Sequence, residues 1–171
     1  MTAVWLRVLL LTCLALSACK TDVQSGIQSA NDLLYRKKYV EAERLYRKLL
    51  KRLESSKDLS ESEDAQRLLV LDRLGKINAL YLRDYSQAIA DFEALNRKYP
   101  KAEPSLAALA TVADLYHYKL GKLQQAIETY QRLVTDFPGR AEAPHAQLEV
   151  VAAYFKLKDY EQARAEAEWV L

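Results

Sequence analysis

The stretch that decides the fold is GKLQQAIETYQRLVTDF, residues 121–137, because the chain contains three further copies of its pattern. It aligns without gaps with KKYVEAERLYRKLLKRL (37–53), RDYSQAIADFEALNRKY (83–99) and KDYEQARAEAEWVL (158–171). Each copy has an alanine three residues after an apolar or aromatic residue, and the alanines are Ala42, Ala88, Ala126 and Ala163. A tyrosine or phenylalanine follows the first three alanines by four residues. Such spacings fall on one helical face, so each copy predicts an amphipathic helix.

Another helix is predicted ahead of each copy. PSLAALATVADLYHYKL (104–120) and PHAQLEVVAAYFKL (144–157) both open on proline, which is well tolerated in a first helical turn. SESEDAQRLLVLDRLGKINALYL (60–82) opens on Ser60 and has Glu63 three residues later, which is the spacing of a capping box. The chain is therefore predicted to be a series of helix pairs.

These helix pairs resemble the tetratricopeptide repeat over about residues 26–171. Gly75 and Ala113 support the resemblance, since they occupy equivalent positions where a small residue lets two paired helices approach closely. The resemblance implies an all-α fold, an α-solenoid of about four pairs. The units are predicted at about 26–54, 60–100, 104–138 and 144–171.

The repeat is longer than usual. Successive alanines are separated by 46, 38 and 37 residues, against about 34 in the common form. The polar insertion ESSKDLSESED (54–64) accounts for the longest spacing. A plain helical bundle with accidental self-similarity is the alternative, and four in-phase alanines argue against it. The last unit stops at Leu171 without a terminal proline or polar capping helix. We expect either that the native chain continues or that a partner covers this end.

The first residues follow a different pattern. One charge, Arg7, precedes the apolar run VLLLTCLAL (8–16), which is too short to span a membrane. A charged start, a short apolar core and small residues predict an export signal. The end LSAC (16–19) resembles the lipobox of bacterial lipoproteins, whereas Cys13 lacks a small residue before it. A general secretory signal or an uncleaved anchor is the alternative.

The lipobox resemblance implies a signal peptide over 1–18, a lipid on Cys19, and a lipidated N-terminus with a short linker over 19–25. The membrane would then be one partner, through the lipid. Lys20 follows the cysteine where aspartate often signals inner-membrane retention, which favours the outer membrane, facing the periplasm. Two or more acyl chains anchor a protein stably.

Composition excludes several classes of function. The formal net charge is only +2, so no nucleic-acid partner is expected. His117 and His145 are the only histidines, no glycine-rich phosphate loop occurs, and neither cysteine would remain free in a lipidated chain. We therefore predict no catalytic residues, metal site or cofactor, and a protein that is not an enzyme.

The predicted function is a membrane-anchored protein–protein interaction scaffold of the bacterial envelope, with other envelope proteins bound on the concave face of the repeats. The stretch DFPGRAEAPHAQLEVVAAYFKLKDYEQARAEAEWVL (136–171) resembles the lipoprotein of the outer-membrane β-barrel assembly machinery. A role in that machinery is one alternative, although the insertion and the early stop depart from that family. The non-catalytic part of a longer envelope enzyme is a second alternative.

Four residues are predicted to contact a partner. Alignment of the third and fourth units puts Tyr118 opposite Phe155 and His117 opposite Tyr154, on the first helices, which we expect to line the concave face. The predicted partner-binding residues are Asp114, His117, Tyr118 and Phe155. The tyrosines predicted to fill core positions are Tyr46, Tyr85, Tyr130 and Tyr160.

Overall fold

The computed structural model describes residues 23–168, and these residues form helices without any strand. The predicted signal peptide, Cys19 and the last three residues lie outside this range. The helices are α1 (23–35), α2 (Tyr39–Ser55), α3 (Glu61–Lys76), α4 (Tyr85–Lys98), α5 (Glu103–Asp114), α6 (Leu123–Asp136), α7 (Glu142–Lys156) and α8 (Tyr160–Glu168). They follow one another along the chain with turns between them, and the predicted all-α class is confirmed. Across 23–168, no helix combines the length and apolarity needed to cross a membrane.

The chain divides within α3 into two compact units, the first ending at Leu74 and the second beginning at Gly75. In the first unit, Tyr46 is fully buried and its hydroxyl donates a hydrogen bond to Asn31 Oδ1 at 2.6 Å. The linker was predicted to reach residue 25, but α1 is already helical at residue 23. Val23 and Ile27, one helical turn apart, are both buried and hold this first turn on the core.

The predicted capping box is present at the start of α3. The backbone N–H of Ser60 donates to Glu63 Oε2 at 2.9 Å, and the backbone N–H of Glu63 approaches Ser60 Oγ at 3.4 Å. These reciprocal bonds satisfy two N–H groups that the helix itself leaves unpaired.

The second unit has the predicted small-residue contacts at its core. Ala88 and Ala126 are completely buried, each on the second helix of a pair. A Cβ added to Gly75 would lie 2.5 Å from a ring carbon of Phe92, so only glycine fits without a shift. The helices of this pair are therefore in close contact, as the repeat pattern predicted.

Two of the predicted core tyrosines are buried and two are not. Tyr46 and Tyr130 are buried, Tyr85 is half-buried, and Tyr160 is 57% exposed. The prediction for Tyr160 is wrong: its packing differs from that of Tyr85, which also begins a second helix but is half-buried. Its ring packs edge-to-face on Phe155, with 5.2 Å between centroids.

A left-handed residue closes the turn inside every pair. Lys37, Arg83, Gly121 and Lys158 have φ angles of 59°, 56°, 63° and 63°, and all four lie two residues before the second helix begins. Only one of them is a glycine, the residue that adopts this conformation without steric cost. The left-handed conformation is therefore kept in every pair, even where the residue is not a glycine.

Candidate partner-binding surface

Three large apolar side chains are exposed at equivalent positions of three successive pairs of the second unit. They are Leu80, Tyr118 and Phe155, with 64%, 54% and 62% of their surface exposed. Each lies five residues before the second helix of its pair. A single exposed apolar residue is ordinary, whereas exposed apolar side chains that recur at one position of a repeat are candidates for an interaction site. We call these three residues the apolar row.

Two members of the apolar row lie in π-helical turns. Leu80 belongs to Ile77–Leu82, which continues α3, and Tyr118 belongs to Leu115–Lys119, which continues α5. A π-helical turn closes its hydrogen bonds over five residues instead of four, and such turns are frequent at functional sites. The wider turn changes which side chains face the core, so ordinary helical periodicity does not assign exposure there.

A cleft of about 330 Å³ lies between the first two members of the apolar row. Its walls include Leu80 and Tyr85 on one side and Asp114, Tyr118 and Lys119 on the other. Two of the predicted partner-binding residues, Asp114 and Tyr118, therefore line one cleft. Phe155 does not line it, and follows along the row beside Tyr160.

The exposed ring of Tyr118 is held by its polar neighbours. Its hydroxyl donates a hydrogen bond to Glu149 on α7, and this bond to a carboxylate raises the pKa of Tyr118 to about 12. Lys156 Nζ lies 5.0 Å from the ring centroid, within range of a cation–π contact. The ring is thus fixed in orientation while about half of its surface remains open to a partner.

His117 was predicted to lie on the exposed face, and that prediction is wrong. Its side chain is completely covered. The ring stacks on Tyr118, with 4.2 Å between centroids and 13° between planes, and meets Tyr130 edge-on at 6.3 Å. Within the π-helical turn this residue faces inward, between Tyr118 and Tyr130 of α6. It therefore packs behind the exposed Tyr118 ring and does not itself face a partner.

The buried imidazole is neutral. Lys156 Nζ lies 2.8 Å from His117 Nε2, and an ammonium can only donate, so Nε2 accepts and Nδ1 carries the proton. Nδ1 lies 3.3 Å from Glu149 Oε2, without the alignment of a good hydrogen bond. Burial, with the charge of Lys156, lowers the pKa of His117, and the carboxylates of Glu149 and Asp114 only partly oppose this.

Asp114 has a structural contact as well as a place in the cleft. It accepts a 2.6 Å hydrogen bond from the hydroxyl of Tyr130, and burial together with this bond raises the pKa of that tyrosine. His145 is exposed, 4.0 Å from Glu149 Oε1. Among residues 23–168, histidines, cysteines and acids nowhere form a group of three or more that could hold a metal ion.

Sequence reasoning missed Leu80, Glu149 and Lys156. Leu80 could have been found, since it lies in the same alignment column as Tyr118 and Phe155. Glu149 and Lys156 could not, because their role depends on contacts with a different helix pair.

Two models of the tetratricopeptide repeat match the sequence, one over residues 70–102 and the other over 115–168. The chain is a tetratricopeptide-repeat protein. This assignment is supported by the helix pairs, by the small residues between paired helices and by the two matched segments. In this fold the first helices of successive repeats form extended binding surfaces, and the fold usually serves as a non-catalytic scaffold.

Solved structures show the same tetratricopeptide fold at low sequence identity. The structure described as MamA RS-1 ArsTM double mutant is 19% identical, with a TM-score of 0.60 over 87% of this chain and 73% of that one. Two structures of a Podosopora anserina protein assigned as a kinesin light chain, with nearly identical TPR-like repeats, are also 19% identical. Their TM-scores are 0.58 and 0.56, over 86% of this chain and 72% of theirs. No curated protein matches the sequence.

Proposed function

We propose that this tetratricopeptide-repeat protein is a scaffold of the bacterial envelope, anchored to a membrane by lipid on Cys19, that binds a partner protein along the apolar row. The observation that carries the proposal is the recurrence of an exposed apolar side chain at one position of three successive pairs, Leu80, Tyr118 and Phe155. Three exposed apolar side chains at equivalent positions suit an extended partner segment whose own apolar side chains are spaced to contact them.

The contacts around Tyr118 support an anchoring role. A few large, rigid side chains carry most of the binding energy of an interface. Glu149 and Lys156 already hold the Tyr118 ring in place, so little conformational freedom is lost when a partner packs against it. The adjacent cleft offers room for one partner side chain between Leu80 and Tyr118.

The membrane anchor is proposed from the N-terminal sequence. The short apolar core and LSAC support lipidation of Cys19, and Lys20 favours the outer membrane. A role in β-barrel assembly rests on residues 136–171 of the sequence, and it stays a prediction, as does membership of a longer envelope enzyme.

Site-specific crosslinking tests the binding surface. A photoreactive amino acid is placed at Tyr118 or Phe155 in the full chain in cells, and the crosslinked proteins are identified by mass spectrometry. We expect one protein to be captured at both positions. The matched control is Gln125, which is exposed on the second helix of the same pair. Equal capture at Gln125, or none at either row position, would overturn the assignment of this surface.

Truncation of the Tyr118 side chain gives a second test of the binding surface. Tyr118→Ala should weaken capture of that partner by about 1–3 kcal/mol, while the melting temperature stays nearly unchanged because the ring is half exposed. If the ring were instead part of the core, the loss of stability would be about 3–5 kcal/mol. A melting curve measured beside the binding assay separates the two, and a large loss of stability would remove Tyr118 from the binding surface.

A further inference from the structure

We infer that the segment bound by the apolar row is acidic, with carboxylates next to its apolar side chains, and that Lys119 and Lys156 receive those carboxylates. The inference rests on the proposed function of the row and adds the chemistry of its partner.

Lys119 and Lys156 occupy equivalent positions in successive pairs. Each directly follows a member of the apolar row, Tyr118 or Phe155, and both side chains are exposed. Two cations in register with two apolar anchors extend the row into a repeated apolar–basic pattern. Charges beside the anchors of an interface determine which partners are accepted and how fast they associate.

Neither lysine forms an ion pair with a carboxylate within residues 23–168. Some other exposed basic side chains of the same unit are paired, for example Arg132 with Glu93 at 3.0 Å and Arg164 with Glu168 at 3.1 Å. The two carboxylates nearest the row keep their charge, but their hydrogen bonds are to tyrosines, since Glu149 accepts from Tyr118 and Asp114 accepts from Tyr130. The row therefore presents two ammonium groups that are not held in an ion pair.

Lys156 is also held in position. Its Nζ lies 2.8 Å from His117 Nε2 and 5.0 Å from the centroid of the Tyr118 ring. A neutral imidazole and an aromatic ring orient the ammonium without cancelling its charge. A lysine fixed in this way keeps donors available for an incoming carboxylate, whereas a basic partner segment would meet like charges beside both aromatic anchors.

Selection from a display library of random peptides, with the full chain as bait, tests the inference. We expect the selected peptides to carry aspartate or glutamate beside aromatic or aliphatic residues, and their affinity to fall as the salt concentration rises. The double variant Lys119→Glu/Lys156→Glu should bind these peptides about tenfold more weakly or worse. The same selection on this variant should favour basic peptides. Lys119→Gln/Lys156→Gln should give an intermediate loss.

The matched control is Arg97→Glu/Lys101→Glu, which makes the same change of charge at two exposed positions, one in the last turn of α4 and one in the turn that follows it. It should bind the selected peptides as the wild type does. Selected peptides without acidic enrichment, which Tyr118→Ala weakens and the lysine variant does not, would overturn the inference and leave the proposed function standing. A failure to select any peptide, or binding that Tyr118→Ala does not affect, would instead overturn the proposed function.

Discussion

At the scale of single residues, the turn inside each pair shows how one position can differ between copies of a repeat. The residue before the second helix is an aspartate in two copies. Asp84 Oδ1 accepts from the backbone N–H of Gln87 at 3.0 Å, and Asp159 Oδ1 accepts from that of Gln162 at 3.2 Å. Lys122 occupies the same position without a capping bond, although its backbone angles, φ −88° and ψ 71°, are close to those of Asp84.

Lys122→Asp should therefore stabilise the protein. The new carboxylate would accept a hydrogen bond from the first turn of α6 and interact favourably with the helix dipole, together worth about 1 kcal/mol. Denaturant unfolding of the variant and the wild type measures the gain. Lys122→Ala is the control for loss of the lysine, and equal stability of the aspartate and alanine variants would show that no cap forms.

The buried alanines lead to a second prediction at this scale. Ala126 is completely buried between paired helices, and its neighbour Gln125 is exposed. Ala126→Leu should lower stability by about 1–3 kcal/mol because the site has no room for the larger side chain. Gln125→Leu should leave the melting temperature nearly unchanged. Similar melting temperatures for the two variants would contradict the helical phase described here.

At the scale of the element, the π-helical turn at the end of α5 determines what faces inward. It buries His117 and leaves the adjacent Tyr118 exposed. Lys156 and Glu149 approach the same imidazole from α7, so this turn joins the first helices of two pairs. The joint depends on a neutral His117, because a protonated Nε2 would face the ammonium of Lys156.

The stability of the protein should therefore depend on pH through the protonation of His117. Its pKa in the fold lies below the ordinary histidine value of 6.5. The unfolded chain then takes up a proton at a higher pH than the folded chain. The neutral imidazole contributes stability above pH 6.5, and this contribution is lost as the pH falls from there through the lowered pKa of the folded state.

Melting temperatures measured across that range, with proton NMR of the two histidines, test this expectation. His117→Gln should remove the acid-induced loss, whereas His145→Gln, at an exposed position, should retain it. A His117 resonance that titrates at or above the ordinary value would contradict the described contacts with Lys156.

At the scale of the whole molecule, the proposed function depends on whether the chain is anchored to a membrane. If Cys19 carries the lipid, the wild type should incorporate labelled palmitate and the Cys19→Ser variant should not. Cys13→Ser is the control and should be labelled normally, since the lipobox does not include it. Equal label in all three chains, or loss of label with Cys13→Ser alone, would refute lipidation at Cys19.

The sequence by itself determined the helix pairs, the buried alanines at 88 and 126, and the capping box at Ser60, because each depends on residues within one or two helical turns. Because the same residue pattern occurs four times, the helix pairs could also be identified as copies of a tetratricopeptide-like repeat. Tyr118 and Phe155 were identified as exposed for the same reason, since they share one place in the repeat.

The tertiary structure alone decided that His117 is buried and that Glu149 and Lys156 complete the site. The π-helical turn departs from the 3.6-residue period on which sequence patterns rest. The contacts of His117 with α7 join residues 32 and 39 positions apart. Local periodicity carries no information about such distances, and only packing of one helix pair on the next brings these side chains together.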